Sequence, residues 1–131
     1  MAESSRRVAT IIARGRVGVG AALLVAAGPC ATLIVGENHP AVRAAVRFTG
    51  GRDLALGAGT LTCLHEHAQD AEWVSMSALV DGIDAVVLLA TPGLPLRARL
   101  IGLVAGGAAI VGLVTARRVA DERAAAIAED A

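Results

Sequence analysis

Tyrosine is absent from the sequence, and phenylalanine and tryptophan occur once each, as Phe48 and Trp73. A soluble core draws much of its buried area from aromatic rings. Here the apolar bulk comes from Ala, Val, Leu and Gly, with 55% hydrophobic residues against 18% charged. Soluble chains sit nearer about half apolar and a quarter charged, and small residues suit helices that pack closely in lipid. Lysine is absent too, since all 12 basic residues are arginine, a bias of the kind a GC-rich genome imposes. No chemistry follows from it. The formal net charge is zero, which offers neither a basic surface for nucleic acid nor an acidic tail as an interaction element. Cysteine is scarce: Cys30 and Cys63 have no C-x-x-C spacing and no histidine at ligand distance. Zinc and thioredoxin-like chemistry are therefore set aside, and two free buried thiols are expected.

Other absences narrow the function further. No nucleophile has a base beside it, no glycine-rich loop follows a strand, and no haem pair of histidines lies within an apolar run. The chain is accordingly read as non-enzymatic, with no cofactor and no metal. His65 and His67, with Glu66, Asp70 and Glu72, form the one cluster with metal-ligand chemistry, and alternating polar residues in a connection are read as solvated instead.

What the sequence does have is long apolar segments. The first runs from Val8 to Gly28 and is expected to stop at Pro29, where a backbone donor is missing. Ser5-Arg6-Arg7 ahead of it resembles the start of a signal peptide, but Arg14 and Arg16 interrupt the apolar run, so it is read as a retained span. Ala31 to Val35 reads as a short interfacial stretch. Pro40 suits the first turn of a second segment that continues from Ala41 to Leu64. Asp70 is placed to cap a third, which covers residues 73–91 with Trp73 as interface anchor. Pro92-Gly93-Leu94-Pro95 makes a tight turn, and a fourth segment runs from Leu96 to Ala116 before a charged tail, 117–131.

Each segment approaches the roughly 20 residues that cross a hydrocarbon core of about 30 Å. The expected fold is therefore all-α, a four-helix transmembrane bundle forming one integral membrane domain over residues 1–131. A soluble four-helix bundle would need a polar face on every helix, yet between Ile101 and Ala116 Thr115 is the only polar side chain. Near the ends of the segments Arg6, Arg7, Arg117, Arg118 and Arg123 outnumber Arg43, Arg97 and Arg99. That asymmetry places both termini on the cytoplasmic side of a plasma or inner membrane. The expected partners are the lipid bilayer and a homo-oligomer or membrane-complex partner. In the fourth segment Gly102 and Gly106 form a G-x-x-x-G that serves either a dimer face or packing within the chain.

Charge occurs where a membrane span tolerates it least. Arg52-Asp53 lies at the centre of the second segment and Asp81 and Asp84 at the centre of the third. An Arg or Asp there costs about 2.5–3.5 kcal/mol each on insertion scales, so neither segment inserts well alone. Ser77, Asp81, Asp84 and Leu88 share one helical face, and Thr49, Asp53 and Thr60 share another, with Arg52 about 100° from Asp53. If the first segment spans Val8 to Gly28, Arg16 lies near its middle and joins them. Opposite charges on adjacent helices are the natural compensation. The candidate site is therefore the cluster Arg16, Arg52, Asp53, Asp81 and Asp84, which sums to minus one when every group is ionised. Two readings follow: a structural lattice that fixes helix register, or a proton or cation site in a transporter or channel, with the Asp81/Asp84 pair holding the proton.

Gly50-Gly51-Arg52-Asp53-Leu54-Ala55-Leu56-Gly57-Ala58-Gly59-Thr60-Leu61, followed by Ala78-Leu79-Val80-Asp81-Gly82-Ile83-Asp84-Ala85, resembles small four-helix bacterial membrane proteins of the family called domain of unknown function 4267. The likeness covers Arg14 to Arg118 and implies a four-helix membrane fold. The family has no established activity, so the resemblance implies no catalytic residue. A more distant similarity to DoxX-like proteins implies a membrane redox component as a further alternative.

Overall fold

Proline and glycine divide the chain into five helices in the computed structural model, which describes residues 2–66 and 69–129. They are α1 (Ala2–Val25), α2 (Ala27–Val35), α3 (Pro40–Glu66), α4 (Asp70–Ala90) and α5 (Leu96–Glu129). The described residues contain no strand.

The first break falls at Ala26 and not at Pro29. Pro29 has no N–H to offer the carbonyl of Val25 four residues back, and the helix is interrupted at that carbonyl. Ala26 N–H still reaches Ala22 O at 2.8 Å and Cys30 N–H reaches Ala26 O at 3.0 Å, so the column continues as α2. Pro29 then sits in the first turn of α2, where the missing donor has no helical partner to lose. Residues 31–35, expected as an interfacial stretch, are the second half of this helix. It ends at Gly36, whose φ of 85° is left-handed and whose N–H returns to Thr32 O at 3.1 Å.

Asp70 does not cap α4. Gln69 holds that position, with φ 51°, and makes no side-chain cap bond. Asp70 is the first helical residue; its carboxylate accepts from Ala71 N–H at 3.0 Å and turns inward. At the other end of the chain α5 runs past Arg117 and Arg118 without a break, so the charged tail is helical as far as Glu129.

α1 packs most extensively on α3, and α4 on α5. Smaller α1–α5 and α3–α4 contacts close the four long helices into a ring, with α2 against α3 and α5. Small residues set the spacing. A Cβ on Gly50 would lie 2.8 Å from Gly20 O, and one on Gly57 would lie 2.8 Å from Ala13 O, so α1 and α3 meet backbone to backbone at two levels. Between α4 and α5, a Cβ on Gly102 would lie 2.9 Å from Leu88 and one on Gly106 would lie 3.5 Å from Ala85. The G-x-x-x-G of α5 therefore serves packing within the chain. Trp73, expected at a membrane interface, lies across Gly59 of α3.

The large aliphatic side chains face outward. Alanines such as Ala13, Ala31, Ala78 and Ala109 fill the buried positions, while Ile11, Leu79, Val86, Leu103, Val104 and Ile110 are exposed. A soluble protein has the opposite arrangement; a lipid-facing surface has this one. Among the described residues three helical stretches are long and apolar enough to cross a membrane, Ser4–Val25, Asp70–Ala90 and Leu96–Ala128. α3 is not one of them, because Arg43, Arg47, Arg52 and Asp53 offset its apolar residues. The expected four segments thus correspond to three apolar helices and a fourth long helix of mixed polarity, with α2 as a short addition.

Candidate functional site

The close approach of α1 and α3 at Gly20, Gly50 and Gly57 brackets the charged residues and brings Arg16 within reach of Asp53. Its Nη1 donates to Asp53 Oδ1 at 3.2 Å, and its Nη2 pairs with Asp81 Oδ1 on α4 and donates to the Ser77 carbonyl at 3.1 Å. Arg52 faces the other way. Its Nη1 and Nη2 grip Asp84 at 2.9 and 2.5 Å as a two-pronged fork, and Nη2 also reaches Asp53 Oδ1 at 3.3 Å. An arginine suits both positions because its planar donors can serve two carboxylates at once.

All five residues singled out from the sequence therefore meet, and they do so in a definite order: Asp84, Arg52, Asp53, Arg16, Asp81. The signs alternate along this run, so each charge has opposite charges as nearest neighbours. It joins α1, α3 and α4. Exposure varies along it. The side chain of Arg16 is 6% exposed, those of Asp53 and Asp81 15% and 17%, and those of Arg52 and Asp84 30% and 28%. Arg16 is thus the most enclosed member, and the Arg52–Asp84 end reaches the surface between α3 and α4.

Beside Arg16, Thr60 Oγ1 and Ser77 Oγ lie 3.1 Å apart, tying α3 to α4 one turn from the charges. Arg16, Asp81, Thr60 and Ser77, together with Ile12 and Gly112, line a cavity of about 10 Å³. That is room for about one water, and too little at this point for a quinone, a flavin or any larger cargo.

A second ion pair escaped the sequence reading. Arg6 Nη2 pairs with Asp70 Oδ2 at 2.9 Å and donates to Leu64 O at 3.0 Å, fastening the start of α1 to the α3–α4 connection. Arg6 reads as an interfacial arginine and Asp70 as a cap, and no spacing links residues 64 positions apart in the chain. Ser5 Oγ adds a bond to Glu122 of α5 at 3.3 Å. Asp70 is thereby committed to Arg6; His65, Glu66 and Glu72 are exposed, and His67 lies outside the described residues. Among the described residues no three His, Cys, Asp or Glu side chains are grouped to hold a metal ion. Cys30 and Cys63 are free thiols, part-exposed and not buried as expected.

Comparison of the chain with protein-family models, with curated proteins and with solved structures finds no match in any of the three.

Proposed function

We propose that this chain is a multi-pass integral membrane protein without catalytic activity, a structural or accessory component whose Arg/Asp run fixes the register of α1, α3 and α4. The observation that carries the reading is the unbroken alternation Asp84, Arg52, Asp53, Arg16, Asp81 beside a cavity with room for about one water. Both arginines are engaged by carboxylates, so no cation is left free to bind a passing anion. α3, too polar to cross as an isolated helix, crosses as the fourth member of the bundle because its charges have partners on α1 and α4. The arginine asymmetry supports termini on the cytoplasmic side of a plasma or inner membrane. Kinship with the four-helix family named above belongs to the same proposal and rests on the residues quoted for it; the outward aliphatic surface supports the membrane reading.

A second reading, a proton- or cation-coupled carrier, rests on one specific feature. Three carboxylates face two arginines, and the partly exposed Asp84 sits at the surface end of the run. Paired neutralisation separates the two. In Arg16→Met/Asp81→Asn a cation and a carboxylate are removed together and Asp84, Arg52 and Asp53 still alternate, so the lattice account expects Arg16→Met alone to lose membrane-integrated protein and the double variant to recover part of it. If instead Asp84→Asn accumulates normally while a proton-dependent flux in vesicles disappears, the carrier reading replaces the lattice.

A further inference from the structure

The outer surface of the ring is not uniform. α1, α4 and α5 expose large aliphatic side chains, whereas Phe48, 79% exposed, is the one large apolar side chain that α3 exposes. The groove where α3 meets α4 carries charge instead, at Arg52 and Asp84. By helical spacing Ala41, Ala45, Phe48 and Ala55 share the face of α3 that carries Arg52, and Val80, Val87 and Thr91 share the face of α4 that carries Asp84. Both rows step by four and three residues in turn, the spacing that keeps one seam of a helix turned toward a neighbour. Arg52 and Asp84 sit together in the middle of these rows, each more than a quarter exposed.

A charged pair half-way along two helices is a costly surface to present to hydrocarbon. Lipid tails supply neither donor nor acceptor to the exposed part of this pair, so the groove calls for an occupant that brings charged partners at the same depth.

We infer that a second copy of this chain covers the groove, the two copies being related by a twofold axis along the membrane normal. The inference rests on the membrane reading proposed above. Rotation about such an axis preserves depth and places α3 of one copy opposite α4 of the other, because the same surface serves both sides of a twofold contact. Arg52 of each copy then faces the second copy's Asp84, whose carboxylate has lone pairs beyond those its own Arg52 occupies. The two ion pairs close into a ring of four alternating charges, and Phe48 enters the space beside Val87 of the second copy. The charge pattern is self-complementary, which is why a second copy fits better than lipid.

The test uses two differently tagged full-length copies expressed together, both carrying Cys30→Ala and Cys63→Ala. One copy carries Phe48→Cys and the other Val87→Cys, and native membranes are oxidised before electrophoresis. The expected result is a disulfide-linked species at twice the monomer mass containing both tags. It should be absent when Val104→Cys on the outer face of α5 replaces Val87→Cys. Membrane-integrated copies that give no doubly tagged species overturn the inference, as does equal linkage through Val104→Cys. A photocrosslinker placed at Phe48 that captures lipid or a different protein also overturns it. If the copies are missing from the membrane fraction altogether, it is the membrane reading that fails.

Discussion

Arg16 is the residue on which the account bears most heavily. It is the enclosed cation of the run, 6% exposed, with Asp53 on one side and Asp81 on the other, and it also satisfies the Ser77 carbonyl. Replacing it with Met keeps a similar length of apolar stem and removes every donor. Asp53 retains Arg52, but Asp81 is left part-buried with no cation, beside the neutral Thr60 and Ser77. Removing one partner of a buried pair costs about 3–5 kcal/mol, most of it the penalty of stranding the other charge. Arg16→Met is therefore expected to lose stability by about that amount. Adding Asp81→Asn should return part of the loss, with a coupling of about 0.5–3 kcal/mol for residues in one network. Reversible unfolding in mixed detergent micelles, followed by loss of helix, measures all corners of the cycle. An Arg16→Met protein within about 1 kcal/mol of the parent, or effects of the two changes that simply add, would refute the reasoning.

Two further outcomes follow from the packing. A Cβ at Gly50 meets Gly20 O at 2.8 Å, whereas one at Gly107 meets nothing within 4 Å. Thermal unfolding should accordingly show Gly50→Ala destabilised by about 1–3 kcal/mol and Gly107→Ala unchanged or stabilised by up to about 1 kcal/mol. Arg6→Ala strands the buried Asp70, whose side chain is 3% exposed. Its cost should fall at the lower end of about 3–5 kcal/mol, because Arg6 itself is 29% exposed. Amide exchange ought to quicken first at the start of α1 and around the α3–α4 connection; uniform quickening along all helices would argue that the latch is not local.

The helical class, the four long segments and the membership of the charge cluster were legible in the sequence, for a common physical reason. Apolar runs of about 20 residues and charges at their centres are local patterns with strong energetic meaning. Even Ser77 and Thr60 fell on the right faces by helical spacing alone. The order of the five charges was not legible, since it depends on how close α1 approaches α3, and that is set by Gly20 and Gly50 meeting across the interface. Nor was the break at Ala26: a proline acts on the carbonyl four residues before it, so the visible residue and the interrupted bond are displaced from each other. The Arg6–Asp70 pair was hidden because neither residue stands out from the ordinary charge found at helix ends. Asp70 also looked like a cap, a role that Gln69 takes with a left-handed backbone.

The central claim is that α3 crosses the bilayer despite Arg52 and Asp53, and single cysteines along it test that claim most directly. In a background lacking Cys30 and Cys63, a membrane-impermeant maleimide is offered from each side of sealed, oriented vesicles to cysteines at Asn38, Phe48, Ala55, Ala58 and Glu66. The account predicts labelling at Asn38 from one side only, labelling at Glu66 from the opposite side only, and protection at the three positions between. Labelling of both ends from the same side, or ready labelling at Phe48 and Ala55, would contradict it.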